Sequence, residues 1–149
     1  MSRRRATPSP PIRHLVLDNE AAGALLSSRR KNPERAAVVL AIAAASGRRL
    51  VPTAVRAEAG WNRTTPRAAN ANRLLPRASA DVTLDSPSAD RAADLLELVP
   101  RASVVDATVA VAAELAGADG HVVEILTSDV PDLDDLGANL RATVDVVQL

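Results

Sequence analysis

Short β-rich runs alternate with longer, alanine-rich stretches along this chain, a pattern that predicts an α/β fold. Arg13 to Leu17 reads as a first strand, Arg49 to Val51 as a second and Asp81 to Leu84 as a third. Val122 to Thr127 reads as a fourth strand and Val144 to Val147 as a fifth. Asn19 to Arg30 and Pro33 to Ser46 have helical composition, with Pro33 at an early helix position and Gly47 as a stop. A further helix runs from Pro52 or Thr53 through Glu58 to about Trp61, and another from Arg67 to Leu75 before Pro76. Ser88 to Leu98 is an amphipathic helix with an N-cap signal at Ser88, and Val104 to Ala116 an apolar helix closed by Gly117. Leu133 to Leu140 adds a short helical stretch. Strands separated by helices imply a mostly parallel sheet of about five strands with right-handed crossovers. Residues 1 to 11, basic and proline-rich, read as a flexible tail ahead of one domain over residues 12 to 149.

Composition narrows the chemistry. A chain of 149 residues is long enough to bury a full core, and that core must be aliphatic because Trp61 is its only aromatic residue. Stacking of bases on aromatic rings is therefore excluded as a binding mode. Trp61 itself reads as a packing residue. Cysteine is absent, which removes disulfides, thiolate metal sites and thiol nucleophiles. Two histidines, His14 and His121, are too few for a histidine-rich metal centre, and His121 reads as structural. No apolar run approaches the ~20 residues that span a bilayer, and the basic start leads into a run too short for a signal-peptide core. The expectation is a cytoplasmic protein with no membrane association.

The net charge of zero conceals an asymmetry. Residues 1 to 77 carry 15 basic and 4 acidic side chains, whereas residues 78 to 149 carry 3 basic and 14 acidic. All the basic residues but Lys31 are arginine, a side chain suited to gripping phosphate oxygens. The same asymmetry is equally explained by two halves that interleave and neutralise one another on folding.

Four acids stand at ends of strands or in the first part of helices: Asp18, Glu58, Asp106 and Asp129. Ligands of open parallel sheets bind beyond the carboxyl ends of the strands, where Asp18 and Asp129 fall. Asp18 taken alone reads first as a cap for the following helix, Glu58 as an exposed helix charge, and Asp129 as another cap. Asp106 is harder to dismiss, because it interrupts the apolar run Val104-Val105-Asp106-Ala107-Thr108-Val109-Ala110. Carboxylates gathered together repel one another, and a hard divalent cation is the simplest counter-charge.

With these segments in view, the chain from Arg13 to Leu149 resembles the PIN-domain ribonucleases, in particular the toxin subunits called VapC. Val16-Leu17-Asp18 is similar to the family's opening strand and first acid, and Val51-Pro52-Thr53-Ala54-Val55-Arg56-Ala57-Glu58 to its strand, proline and glutamate-bearing helix. The stretch around Asp106 resembles the one that carries the third acid. Ile125-Leu126-Thr127-Ser128-Asp129-Val130-Pro131-Asp132-Leu133 resembles the Thr-Ser-Asp-x-x-Asp-Leu segment that follows the fourth strand. The resemblance implies a PIN-like three-layer sandwich and a magnesium- or manganese-dependent endoribonuclease, the toxin of a toxin–antitoxin pair. It implies that Asp18 and Asp106 hold the principal ion, with Glu58 and Asp129 completing the pocket and Asp132 as an auxiliary acid. Glu20 is a further auxiliary candidate that either adds a carboxylate near the metal or faces away, a choice the sequence leaves open. It implies an RNA substrate, a cognate antitoxin and a homodimer. Asn19 departs from the family pattern, in which a hydroxyl residue more often follows the first Asp. Arg56, Arg63, Arg67 and Arg73 are the candidates for RNA contacts, each with a solvated-surface alternative. Receiver domains and haloacid-dehalogenase phosphatases also place acids after strands, but both need a lysine late in the chain and neither explains Glu58. A catalytically silent PIN fold that binds RNA or protein is the remaining alternative.

Overall fold

The structure, a computed structural model, describes residues 7–149. Of the tail expected over residues 1–11, residues 1–6 lie outside the described part; residues 7–11 are exposed and belong to no helix or strand. The five strands form one parallel sheet: β1 (Arg13–Leu17), β2 (Arg49–Pro52), β3 (Asp81–Val82), β4 (Val122–Thr127) and β5 (Val144–Gln148), in the order β3-β2-β1-β4-β5. Every pairing is parallel, with Leu15 opposite Arg49 on one side of β1 and opposite Glu124 on the other. The central strand is buried on both faces, as an apolar run in a covered parallel sheet must be: Leu15, Val16 and Leu17 are almost wholly inaccessible.

Two sets of helices cover the sheet. α1 (Asn19–Leu26), α2 (Pro33–Ala44), α3 (Thr53–Ala59), α4 (Ala69–Leu74) and α5 (Arg77–Ala80) fall in the connections from β1 through β2 to β3. α6 (Ser86–Leu98) and α7 (Val104–Ala116) link β3 to β4, and α8 (Val130–Gly137) links β4 to β5. Right-handed crossovers running out to β3 and then back to β4 put these groups on opposite faces, giving the PIN-like three-layer α/β sandwich. α1 packs against α2, α3 and α4, and α7 against α6, α8 and the central strands. Alanine at 107, 110, 112, 113 and 116 lets α7 lie close on the sheet. Among the described residues, no helix is long and apolar enough to cross a membrane.

Several boundaries differ from the sequence reading. The third strand stops at Val82, short of Leu84. The stretch from Arg67 is a 3-10 turn over Pro66–Ala68 followed by α4, and α5 was not anticipated. α1 ends at Leu26, before Arg30. α3 ends at Ala59 because Gly60 takes a left-handed conformation (φ 71°), which leaves Trp61 buried beyond the helix. α6 starts at Ser86, with the Asp85 carboxylate capping it by accepting from Ser88 N at 2.9 Å, and α8 starts at Val130. In both, a proline in the first turn opens the helix, since it lacks the N–H that has no partner there.

The amino end of the sheet is tied by His14. Its Nδ1 accepts from the Arg48 amide at 2.8 Å, so the ring proton sits on Nε2, which donates to Asp119 at 2.8 Å. His121 meets the ring edge-on with centroids 5.8 Å apart, a structural role as expected. Gly47 leaves the room for this: a Cβ there would overlap His14 Nδ1 and stand 2.9 Å from His14 Cε1 and Ile12 Cγ2. Gly47→Ala is expected to destabilise the fold by about 1–3 kcal/mol, read by urea unfolding. An unchanged midpoint would mean that His14 is free to move aside.

Candidate functional site

β1 and β4 are neighbours in the sheet, but their outgoing connections lead to opposite faces. A crevice opens at such a switch point, outside the carboxyl ends of the two strands. Asp18 follows β1, Asp129 follows β4, and the first turn of α7 brings Asp106.

Asp106 is held by a reciprocal cap. Ser103 Oγ accepts from the Asp106 amide at 3.0 Å, while Asp106 Oδ2 accepts from the Ser103 amide at 3.2 Å. Its carboxylate is thereby fixed at the start of α7 although the residue is buried. One carboxylate oxygen from each of Asp106, Asp129 and Asp132 lies within 4.8 Å of the others. Asp129 stands at the N-cap position of α8 without a side-chain capping bond of hydrogen-bond length, although the Asp132 amide still favours its charged form. Burial first, then the neighbouring charges of Asp132 and Asp106, raise its carboxyl above the usual range.

Asp18 lies deeper, only 1 % exposed. Its Oδ1 accepts from the Asn19 amide at 2.7 Å, so it does cap α1, and its Oδ2 accepts from the Thr127 hydroxyl at 2.7 Å. Thr127, the last residue of β4 and fully buried, also accepts from the Asp129 amide at 2.8 Å. One hydroxyl therefore joins two of the acids. Burial is the main cause that raises the Asp18 carboxyl; the Thr127 and Asn19 bonds oppose it, and the charges of Asp106 and Glu58 add to it. Glu58 is exposed on α3 and shares the neighbourhood of Asp18 through this field.

A raised native pKa fixes the sign of the pH dependence. Asp18 supports stability below its unfolded pKa, and that support is lost as pH rises through the higher native value. Asp18→Asn is therefore expected to raise the melting temperature in EDTA at pH 7. The gap between variant and wild type should close below about pH 4, where Asp18 is protonated in both states. A lower melting temperature for the variant at pH 7 would contradict this.

Asp132, expected only as an auxiliary acid, belongs to the closest acidic group, while Asp18 sits beside that group. Arg101, which the sequence reading passed over, places Nε 2.9 Å from Asp132 and pairs also with Asp135. Nothing in the sequence marks it, because its partners lie more than thirty positions away. Thr127 was legible only as part of the Thr-Ser-Asp string. Glu20 is exposed and lines an open groove of about 790 Å³, together with Arg29, Lys31 and Arg67. Arg56 and Arg63 instead converge on Asp81, at 3.0 and 2.6 Å. Arg63 further donates to Leu75 O and lies over the Trp61 ring. Arg73 is exposed and bonds Asn70.

An all-oxygen set of three close carboxylates suits a hard divalent cation such as magnesium or manganese, which keeps several waters and needs few protein ligands. Asp106, Asp129 and Asp132 are the residues that fit it, with Asp18 adjacent.

No protein-family profile matches the chain, and no curated protein matches it. Among solved structures, a chain of "Structure of FitAB bound to IR36 DNA fragment" shares its fold, with a TM-score of 0.56 and 15% identity. That likeness covers 89% of this chain and 94% of the other. The chain thus has the fold of a component of the DNA-bound FitAB assembly over nearly its whole length.

Proposed function

We propose that this chain is a metal-dependent endoribonuclease of the PIN type, the toxin subunit of a toxin–antitoxin pair. The carrying observation is the carboxylate group Asp106, Asp129 and Asp132, gathered with the buried Asp18 at the switch point of the sheet. In this reading Asp106, with Asp129 and Asp132, holds Mg²⁺ or Mn²⁺, which when bound supplies electrostatic stabilisation of the charge that develops on the scissile phosphate. Asp18, fixed by Thr127 and Asn19, keeps a further carboxylate beside that position, and the charge of Glu58 on α3 acts on it. In this reading an RNA strand runs along the groove of Asn19 and Glu20 past Arg29, Lys31 and Arg67, with Arg73, exposed and bonded to Asn70, as a further contact. The antitoxin and the homodimer rest on the sequence resemblance, with which the FitAB-like fold is in keeping.

The test is cleavage of structured RNA by purified protein in Mg²⁺ and in EDTA. Scission in Mg²⁺ alone is expected. Binding of RNA without scission under both conditions would favour the catalytically silent alternative.

A further inference from the structure

A second cleft opens beside β2 and β3, with a volume of about 650 Å³. Thr53, Arg56, Arg63, Arg77, Asp81 and Thr83 contribute to its lining. Three guanidinium groups thus line a cleft that holds one carboxylate, a formal excess of two positive charges. Both oxygens of Asp81 are already taken, Oδ1 by Arg63 at 2.6 Å and Oδ2 by Arg56 at 3.0 Å and Arg63 Nε at 3.4 Å. Arg77, exposed in the first position of α5, has no carboxylate within ion-pair distance among the described residues. Arg56 Nε is covered from solvent and lacks any acceptor. Here the positive charges outnumber the one carboxylate. Arg63 spends its donors on Asp81, Asn72 and Leu75 O, and Arg56 Nη1 bonds Trp61 O. Among the described residues this leaves Arg77 as the cleft's uncommitted guanidinium, with threonine hydroxyls lining the same cleft.

We infer that this cleft is a phosphate-binding site, in which Arg77 and the Asp81-braced pair Arg56 and Arg63 take a phosphodiester group of a single-stranded nucleic acid. The bracing suits the task, since Arg63 is held by Leu75 O at 2.8 Å, by Asn72 at 3.1 Å and by the Trp61 ring at 4.7 Å. A guanidinium already fixed in place loses little freedom when it binds an oxyanion. The cleft lies one to two strands from β1, a distance of about 5–10 Å. A strand cut at the acids would present a neighbouring phosphate to it. That the phosphate belongs to RNA rests on the nuclease reading; the anion site itself does not.

The experiment measures binding of a fluorescent single-stranded oligoribonucleotide in EDTA across a salt series. Arg77→Ala is compared with Arg48→Ala, an exposed arginine at the opposite end of β2. The Arg77 variant is expected to bind about three- to tenfold more weakly, and its slope of log affinity against log salt to fall by about 0.7, the loss of one phosphate contact. Arg48→Ala should match wild type. Inorganic phosphate should compete against wild type more effectively than against Arg77→Ala. Equal losses in both variants, an unchanged Arg77→Ala, or no oligonucleotide binding by wild type would each overturn the site. Because EDTA removes cleavage from the readout, loss of nuclease activity and loss of this site are told apart.

Discussion

Asp106→Asn is expected to slow RNA cleavage in Mg²⁺ by about 10³-fold or more, equivalent to ~4 kcal/mol of lost transition-state stabilisation. Asparagine is the informative replacement because its side-chain oxygen can still accept from the Ser103 amide, which preserves the cap at the start of α7. Alanine would remove this reciprocal bond, leaving only Ser103 Oγ on the residue 106 amide, and add about 1 kcal/mol of destabilisation, mixing two effects. The asparagine variant should therefore unfold at nearly the wild-type urea concentration while losing both cleavage and Mn²⁺ binding by calorimetry. It should also ease the repulsion on Asp18 and Asp129, since the Asp106 charge contributes to raising both. Equal cleavage by wild type and variant would remove Asp106, and with it the metal site, from the mechanism.

Thr127→Val should be the most costly single change at the site for stability. Valine matches threonine in shape, so packing at this fully buried position is conserved and the lost hydroxyl is isolated. Two partners are stranded: Asp18 Oδ2 loses a donor and the Asp129 amide loses its acceptor. A buried unsatisfied group costs ~1–3 kcal/mol, more when charged, so a loss of about 2–4 kcal/mol at pH 7 in EDTA is expected. The Thr127 bond is the largest cause holding the Asp18 carboxyl down, so its removal raises that carboxyl further. The penalty should then shrink in acid, where Asp18 is protonated and no buried charge is left bare. A penalty independent of pH would assign the effect to the Asp129 amide alone.

How far the sequence could be read depended on the kind of signal. Apolar runs such as His14 to Leu17 and Val122 to Thr127 are long enough to declare themselves, and both strands stand where the pattern put them. Asp81–Val82 offers too little chain for its end to be read, because a two-residue strand is defined by its pairing with Val51 and Pro52. The starts of α6 and α8 lie earlier than the apolar pattern predicts, for one reason. Pro87 and Pro131 each stand inside the first turn of the helix, whereas the apolar pattern begins only after the proline.

The candidate acids divide the same way. Asp106 is conspicuous as a charge inside an apolar run, and Asp18 and Asp129 as acids closing strands, all local features. Which carboxylates meet is a matter of three dimensions. The grouping of Asp106 with Asp129 and Asp132, the Arg101 ion pair, and the engagement of Arg56 and Arg63 by Asp81 all join residues far apart in the chain. Periodicity and local composition determined the elements, their order and a parallel sheet, because burial of an apolar face leaves its imprint within a few residues. The switch point between β1 and β4, and with it the site, was decided by tertiary structure: strand order depends on which faces the crossovers cover, an energy shared by the whole chain.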